Sequence, residues 1–138
     1  MQTDNLRAVL KQSGYSLTKP RKLVFDLLLQ GRPMSMSELV SESGHKVDRA
    51  SIYRTVSLFE KLGITHRVNT GWKYKIELSD AFIGHHHHMH CTNCGQITTL
   101  PANTMLETMI DTTAAKEDFK PRSHQLEIYG LCANCSKN

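Results

Sequence analysis

Residues 48–78 read DRASIYRTVSLFEKLGITHRVNTGWKYKIEL, and a change of period inside this stretch decides the fold. In its first half Ile52, Val56 and Phe59 recur at i, i+4 and i+7, with Leu62 beside them. At about 100° per residue these positions make one apolar stripe, so 48–63 is predicted to be an amphipathic helix. Arg54 then falls roughly opposite the stripe, beside Ala50 and Ser57, with Tyr53 on the flank. After Gly63 the period drops to two: ITHRVN, a TG turn and WKYKIEL read as a β-hairpin. The outward face of the helix suits a DNA major groove. Small residues allow close approach, arginine bonds guanine or phosphate, and tyrosine packs on a thymine methyl. A solvated surface helix shows the same pattern, so this helix alone does not decide.

Three shorter helical stretches precede it. TDNLRAVLKQSG has a Thr3 or Asp4 start, apolar Leu6, Val9 and Leu10, and a Gly14 stop. LTKPRKLVFDLLLQG has Thr18 as candidate N-cap and Pro20 in the first turn, with an end expected near Gly31. SMSELVSESG places Ser35 three residues before Glu38, as in a capping box. Helices followed by a β-ribbon make a winged helix-turn-helix. Arg67, Lys73 and Lys75 on the ribbon are placed to meet phosphates, which position a protein without reading sequence.

The second half opens on GHHHHMHCTNCG, residues 84–95. Its mid-chain position and the alternation His88-Met89-His90-Cys91 separate it from a terminal purification tag. All four cysteines fall in two Cys-x-x-Cys pairs, Cys91/Cys94 and Cys132/Cys135. In a reducing compartment such pairs read as metal ligands before disulfides, and four thiolates close the shell of a structural tetrahedral zinc. A redox pair or four inert thiols would not call for two clasps of matching spacing. The stretches 86–91 and 96–100 look like strands, ANTMLETMIDTTAAKE like a helix, and HQLEIYGL like a strand. So small a domain buries little core, and zinc or dimerisation through a strand edge would compensate.

The fold class expected is α+β: an N-terminal winged helix-turn-helix DNA-binding domain in residues 1–79, a hinge in 80–84, and a small C-terminal α/β dimerisation domain with a four-cysteine zinc site in 85–138. No run approaches the eighteen or so apolar residues of a membrane span, and the N-terminus has no apolar signal core. A cytoplasmic location and no membrane partner are therefore expected. The formal charge of +4 is compatible with nucleic acid but too small to argue for it alone.

LTKPR, ASIYRTV, the histidine cluster, CTNCG and the closing GLCANC together resemble the ferric uptake regulator family, over nearly the whole chain from Leu6 to Cys135. The resemblance implies a dimeric bacterial repressor that binds operator DNA with a metal corepressor controlling metal-uptake genes. It implies Cys91, Cys94, Cys132 and Cys135 as structural zinc ligands. It assigns alternate histidines to two further sites, which suits a strand because successive side chains face opposite sides. His86 and His88 would join Glu77 and His66 in a regulatory hinge site, and His85 and His87 would join His124 and Glu107 in a third. Arg21, Arg49, Ser51, Tyr53, Arg54, Arg67 and Lys73 are the candidate DNA contacts.

The departures bear on the metal. Iron-type members carry an acidic residue where this chain has His87, and a histidine where it has Pro33 and Met34. Thr99 replaces a common acidic residue, Ser16 a basic residue that probes the minor groove, and Glu107 is one residue off the usual spacing. Four consecutive histidines and His66 favour zinc as regulatory metal over iron(II), while Glu77 stands where zinc sensors often have cysteine. Manganese, nickel or peroxide sensing are the alternatives within the family, and metal storage is one outside it. A homodimer is expected, with a tetramer as alternative. An enzyme acting on a small organic substrate is not expected: the His-x-Glu and Pro-Cys-x-x-Cys of zinc deaminases and the His-Glu-x-x-His of metalloproteases do not occur.

Overall fold

A computed structural model describes residues 1–137. The chain divides into two compact units, Met1–Gly84 and His85–Asn138.

The first unit is a winged helix. Four helices, α1 (Gln2–Gln12), α2 (Lys19–Leu28), α3 (Met36–Glu42) and α4 (Arg49–Lys61), precede the strands β1 (Thr65–Thr70) and β2 (Lys73–Leu78) and a helical turn α5 (Asp80–Ile83). The apolar stripes close on one core of Leu6, Leu10, Val24, Phe25, Leu28, Leu39, Ile52, Val56, Phe59, Ile64, Ile76 and Leu78. Ile52, Val56 and Phe59 are buried as their spacing requires, and Thr55 joins them. Arg54 and Tyr53 are exposed on the other side of α4.

Local chemistry sets the ends of these elements. The Asp48 side chain caps α4 by accepting the Ser51 N–H, and the Ser51 hydroxyl donates to the same carboxyl at 2.5 Å, which lowers its pKa. Ser35 caps α3 by accepting from the Glu38 N–H at 3.0 Å. The reciprocal half of a capping box does not form, because the Glu38 carboxylate turns instead to Arg32 (2.9 Å) and Lys75 (3.2 Å). α2 ends at Leu28 rather than near Gly31, and Thr18 makes no side-chain cap bond.

The hairpin turn is Gly71-Trp72, not Thr70-Gly71, since Thr70 pairs with Lys73. Gly71 at φ 72° explains the shift: a two-residue hairpin loop needs positive φ at its first position, and the sequence puts its glycine there. Met34 bridges to Ile76 and ties the ribbon to the helices. Asp80–Ile83, in the segment read as a hinge, is helical, and Phe82 packs edge-on against Phe25 at 5.3 Å between centroids.

The second unit is a three-stranded sheet in the order β4-β3-β5, built from β3 (His86–Cys91), β4 (Ile97–Pro101) and β5 (Glu127–Gly130). β3 and β4 are antiparallel; α6 (Thr104–Lys116) then carries the chain over so that β5 returns parallel to β3. Asn103 caps α6 by accepting from the N–H groups of Met105 and Leu106, and a final turn, α7 (Ala133–Ser136), starts at Cys132. The sheet has little apolar filling. Its most buried side chains are His87, His88, His90 and Cys91, and α6 buries none of its residues fully.

Candidate metal centres and nucleic-acid interface

Two hairpin-like clasps bring the four cysteines together. Cys91 ends β3 and Cys94 follows in a turn closed by the Gly95 N–H donating to the Cys91 carbonyl at 3.0 Å. Cys132 and Cys135 bracket the first turn of α7, where the Ser136 N–H donates to the Cys132 carbonyl. The four sulfurs lie within 4.8 Å of one another, and Cys94 Sγ is 3.8 Å from Cys132 Sγ. A tetrahedron with ~2.3 Å zinc–sulfur bonds has an edge of about 3.8 Å. Hydrogen bonds from the backbone of Cys94 and then Cys132 draw the Cys91 thiol down to about 6. The Asn93 amide favours ionisation of Cys135, but Cys132, Cys91 and Cys94 outweigh it and push that thiol up to about 11. Four thiols this close do not all ionise unaided. The donor set fits a dication that would compensate the charge.

A second set converges on the face of the sheet that includes His87. His87 Nε2 lies 2.6 Å from Glu107 Oε1, and His124 Nε2 lies 2.6 Å and His85 Nε2 3.3 Å from Glu107 Oε2. His85 and His124 approach each other at 3.0 Å between Nε2 atoms. All four donors fall within 4.8 Å of one another. The hydrogen bond to His87, followed by the charges of His124 and His85, outweighs desolvation and lowers the Glu107 pKa. His87 is 1% exposed and its Nδ1 is a buried atom with no hydrogen-bond partner among the described residues. Three imidazoles and one carboxylate fit a divalent first-row metal. Glu107 sits in this set despite its altered spacing, because α6 carries it on its first turn above the sheet.

The residues expected in the hinge site divide between the units. In the first, His66 and Glu77 are paired across β1 and β2, with His66 Nε2 2.7 Å from Glu77 Oε1. Glu77 is 1% exposed, and a buried carboxylate of this kind requires a polar partner. In the second, the rings of His86 and His88 stand edge-to-face at 4.9 Å on one face of β3. His85 and His87 share the opposite face at 4.6 Å. The alternation read from the sequence is thus the alternation of the strand.

Two residues, Glu127 and His90, escaped the sequence reading. Glu127 on β5 places Oε1 2.9 Å from His88 Nδ1 and Oε2 2.5 Å from His90 Nε2. Burial raises the Glu127 pKa, but bonds to His90 and then His88 outweigh it and leave the carboxyl below its ordinary range. The signal for His90 was the period of two, which continues to it from His86 and His88.

On the outward side of α4, Arg49 donates to the Tyr53 hydroxyl at 3.2 Å and Arg54 to the Ser51 hydroxyl at 3.0 Å. Arg21, in the first turn of α2, donates to the Ser16 carbonyl at 2.6 Å. On the ribbon, Arg67 makes a forked pair with Glu60 (2.9 and 3.3 Å) and lies 4.1 Å over the Tyr74 ring. Lys73 lies 4.7 Å over Trp72, which is 89% exposed at the turn.

Comparison with known proteins agrees with this architecture. The model of the ferric uptake regulator family matches residues 12–129. The ferric uptake regulation protein of Legionella pneumophila is 33% identical over 132 residues, covering 91% of this chain and 95% of the relative. A solved structure of the Vibrio cholerae ferric uptake regulator is 28% identical with a TM-score of 0.68, covering 91% of this chain and 98% of that one. The Helicobacter pylori ferric uptake regulator, whose structure is described as revealing three functional metal binding sites, superposes with a TM-score of 0.80 over 99% of this chain and 93% of its own; at 24% identity this shows the fold.

Proposed function

This chain belongs to the ferric uptake regulator family, whose members are DNA-binding, metal-responsive repressors, and from that premise we propose that it silences metal-uptake genes with zinc, ahead of iron(II), as corepressor. The observation that carries the metal reading is that the second unit holds two convergent donor sets, His85, His87, Glu107 and His124 in one and the four cysteines in the other. Four convergent nitrogen and oxygen donors suit tetrahedral zinc, and intrinsic affinity ranks zinc above iron(II) for such a set. A histidine at 87, in place of an acidic residue, adds to that preference.

The four cysteines are proposed as the structural zinc ligands and His66, Glu77, His86 and His88 as the regulatory set, with His85, His87, Glu107 and His124 as a third. When bound, the regulatory cation would supply a positive centre for imidazole and carboxylate donors to ligate. Neutral imidazoles are what His66, His86 and His88 contribute, so occupancy falls in acid as they protonate. The first unit is proposed to contact DNA through Arg49, Ser51, Tyr53 and Arg54 of α4, supported by Arg21, Arg67 and Lys73 at phosphates. β5 is an edge of its sheet, with Ile128 and Tyr129 44% and 62% exposed, and is proposed to pair with a second copy.

Fluorescence anisotropy on a promoter fragment from a metal-uptake gene, in buffers of fixed free zinc, iron(II) or manganese, tests the reading. Zinc is expected to promote binding at the lowest free concentration. Promotion by iron(II) alone would make this an iron sensor. Arg54→Ala is expected to weaken operator binding roughly 5- to 150-fold, the range of one good base contact at ~1–3 kcal/mol, with bound metal unchanged. Wild-type affinity in that variant would remove α4 from the interface.

A further inference from the structure

Glu127 has no place in the metal sets above, yet it is built into the strand that pairs with theirs. β5 runs parallel to β3 with Glu127 beside His88 and Tyr129 beside His90. With a period of two, His86, His88 and His90 share one face of β3, and Glu127 and Tyr129 share that face of β5. The carboxylate therefore has an imidazole beside it at His88 and another diagonally at His90. Its two oxygens divide between them, at 2.9 Å from His88 Nδ1 and 2.5 Å from His90 Nε2. The two histidines are buried and Glu127 half-buried, and Tyr129 stacks flat on His90 at 4.8 Å and 16°, fixing the far ring.

An ionised carboxylate only accepts hydrogen bonds. The nitrogens facing Glu127 must then carry the protons: Nδ1–H on His88 and Nε2–H on His90. A neutral imidazole protonated on Nδ1 has its lone pair on Nε2. We propose that Glu127 is a positioning residue for the regulatory metal, holding His88 in the Nδ1–H tautomer and in a fixed ring orientation so that Nε2 is its ligand atom, with His90 and Tyr129 fixing the carboxylate. The inference rests on the reading of His88 as a regulatory ligand. Carboxylates behind metal-bound imidazoles act in this way by general rule, and their loss costs about 10- to 100-fold in metal affinity.

The experiment uses the full chain with its cysteine-bound zinc retained. Zinc affinity of the exchangeable sites is read by competition with a chromophoric chelator in wild type, Glu127→Ala, Glu127→Gln and His88→Ala. Histidine tautomers in the metal-stripped protein are read from ¹⁵N side-chain spectra. Expected is a ~10- to 100-fold weaker site in Glu127→Ala and a smaller loss in Glu127→Gln, whose single carbonyl still accepts one bond. The His88 signals should shift from the Nδ1–H form towards the Nε2–H form, which a merely structural role would not cause. Should His88→Ala lose the site while both Glu127 variants keep wild-type affinity and tautomer, the positioning role falls and the regulatory set stands. Should His88→Ala bind zinc like wild type, the regulatory set itself falls and takes this proposal with it. Loss of one whole ion per chain in Glu127→Ala, with the remaining affinities untouched, would make Glu127 a ligand and overturn the positioning assignment.

Discussion

Cys91→Ala is expected to unfold the second unit and abolish dimerisation while the winged helix stays folded. The asymmetry follows from where the apolar core lies. Every residue of the buried core cluster belongs to the first unit, from Leu6 to Phe82. In the second unit the most buried side chains are imidazoles and one thiol, and the longest helix buries none of its residues fully. A sheet of three short strands in which the centre is lined by histidine does not offset the entropy of ordering its chain by hydrophobic burial. Metal bonds at the four cysteines are proposed to supply the larger part of the difference. Structural zinc contributes an apparent ~10–16 kcal/mol in finger peptides, more than the whole stability of many domains. Removing one thiolate from the Cys91–Cys94–Cys132–Cys135 set leaves an open and weakened site. Amide hydrogen exchange would show residues 85–137 exchanging freely and residues 1–84 protected, and sedimentation would show monomer. A stable, dimeric Cys91→Ala chain would mean that the four cysteines are not what holds this unit together.

The second large effect is expected at His88. His88→Ala should bring operator affinity at saturating metal down to that of the metal-stripped protein, with the dimer and the cysteine-bound zinc retained. If the stripped chain is competent for DNA about 1% of the time, its apparent affinity is lowered on the order of 100-fold. Driving such a population from 1:99 to 99:1 needs roughly 5.5 kcal/mol of differential binding, within reach of a site with several ligands. His88 is buried and its ring is held between His86 and Glu127, so the truncation removes a donor from a fixed position rather than a solvated side chain. Operator titrations of the variant across free zinc should be flat. A variant that still responds to zinc like wild type would remove His88 from the regulatory set.

Strong periodicity made the helix α4, the hairpin and strand β3 legible, because each rests on one repeating contact: the stripe Ile52, Val56, Phe59 or the alternation His85 to His88. The cysteine clasps were legible for a different reason, since two Cys-x-x-Cys pairs state their own geometry. The ends of elements were not. The turn slid by one residue because the glycine had to occupy a particular turn position, and Glu38 left its capping role because Arg32 and Lys75 compete for it across the fold. Arg67 reads as a free cation in sequence, yet Glu60 and Tyr74 engage it once the ribbon packs on α4. Glu127 was invisible for the same reason: nothing local says that β5 lies parallel to β3 with residue 127 beside residue 88. Pairings that depend on topology, rather than on spacing within one element, are what the chain does not announce.

An exchangeable cation is proposed to set the DNA-binding competence of this chain. The most direct test is the dissociation constant for operator DNA, by anisotropy at fixed salt, of wild-type protein stripped of exchangeable metal but retaining one cysteine-bound zinc per chain, and again after zinc is restored. Binding is expected to be at least ~10-fold tighter on reloading, and a chelator is expected to reverse it. Equal affinity in the two states would contradict the proposal.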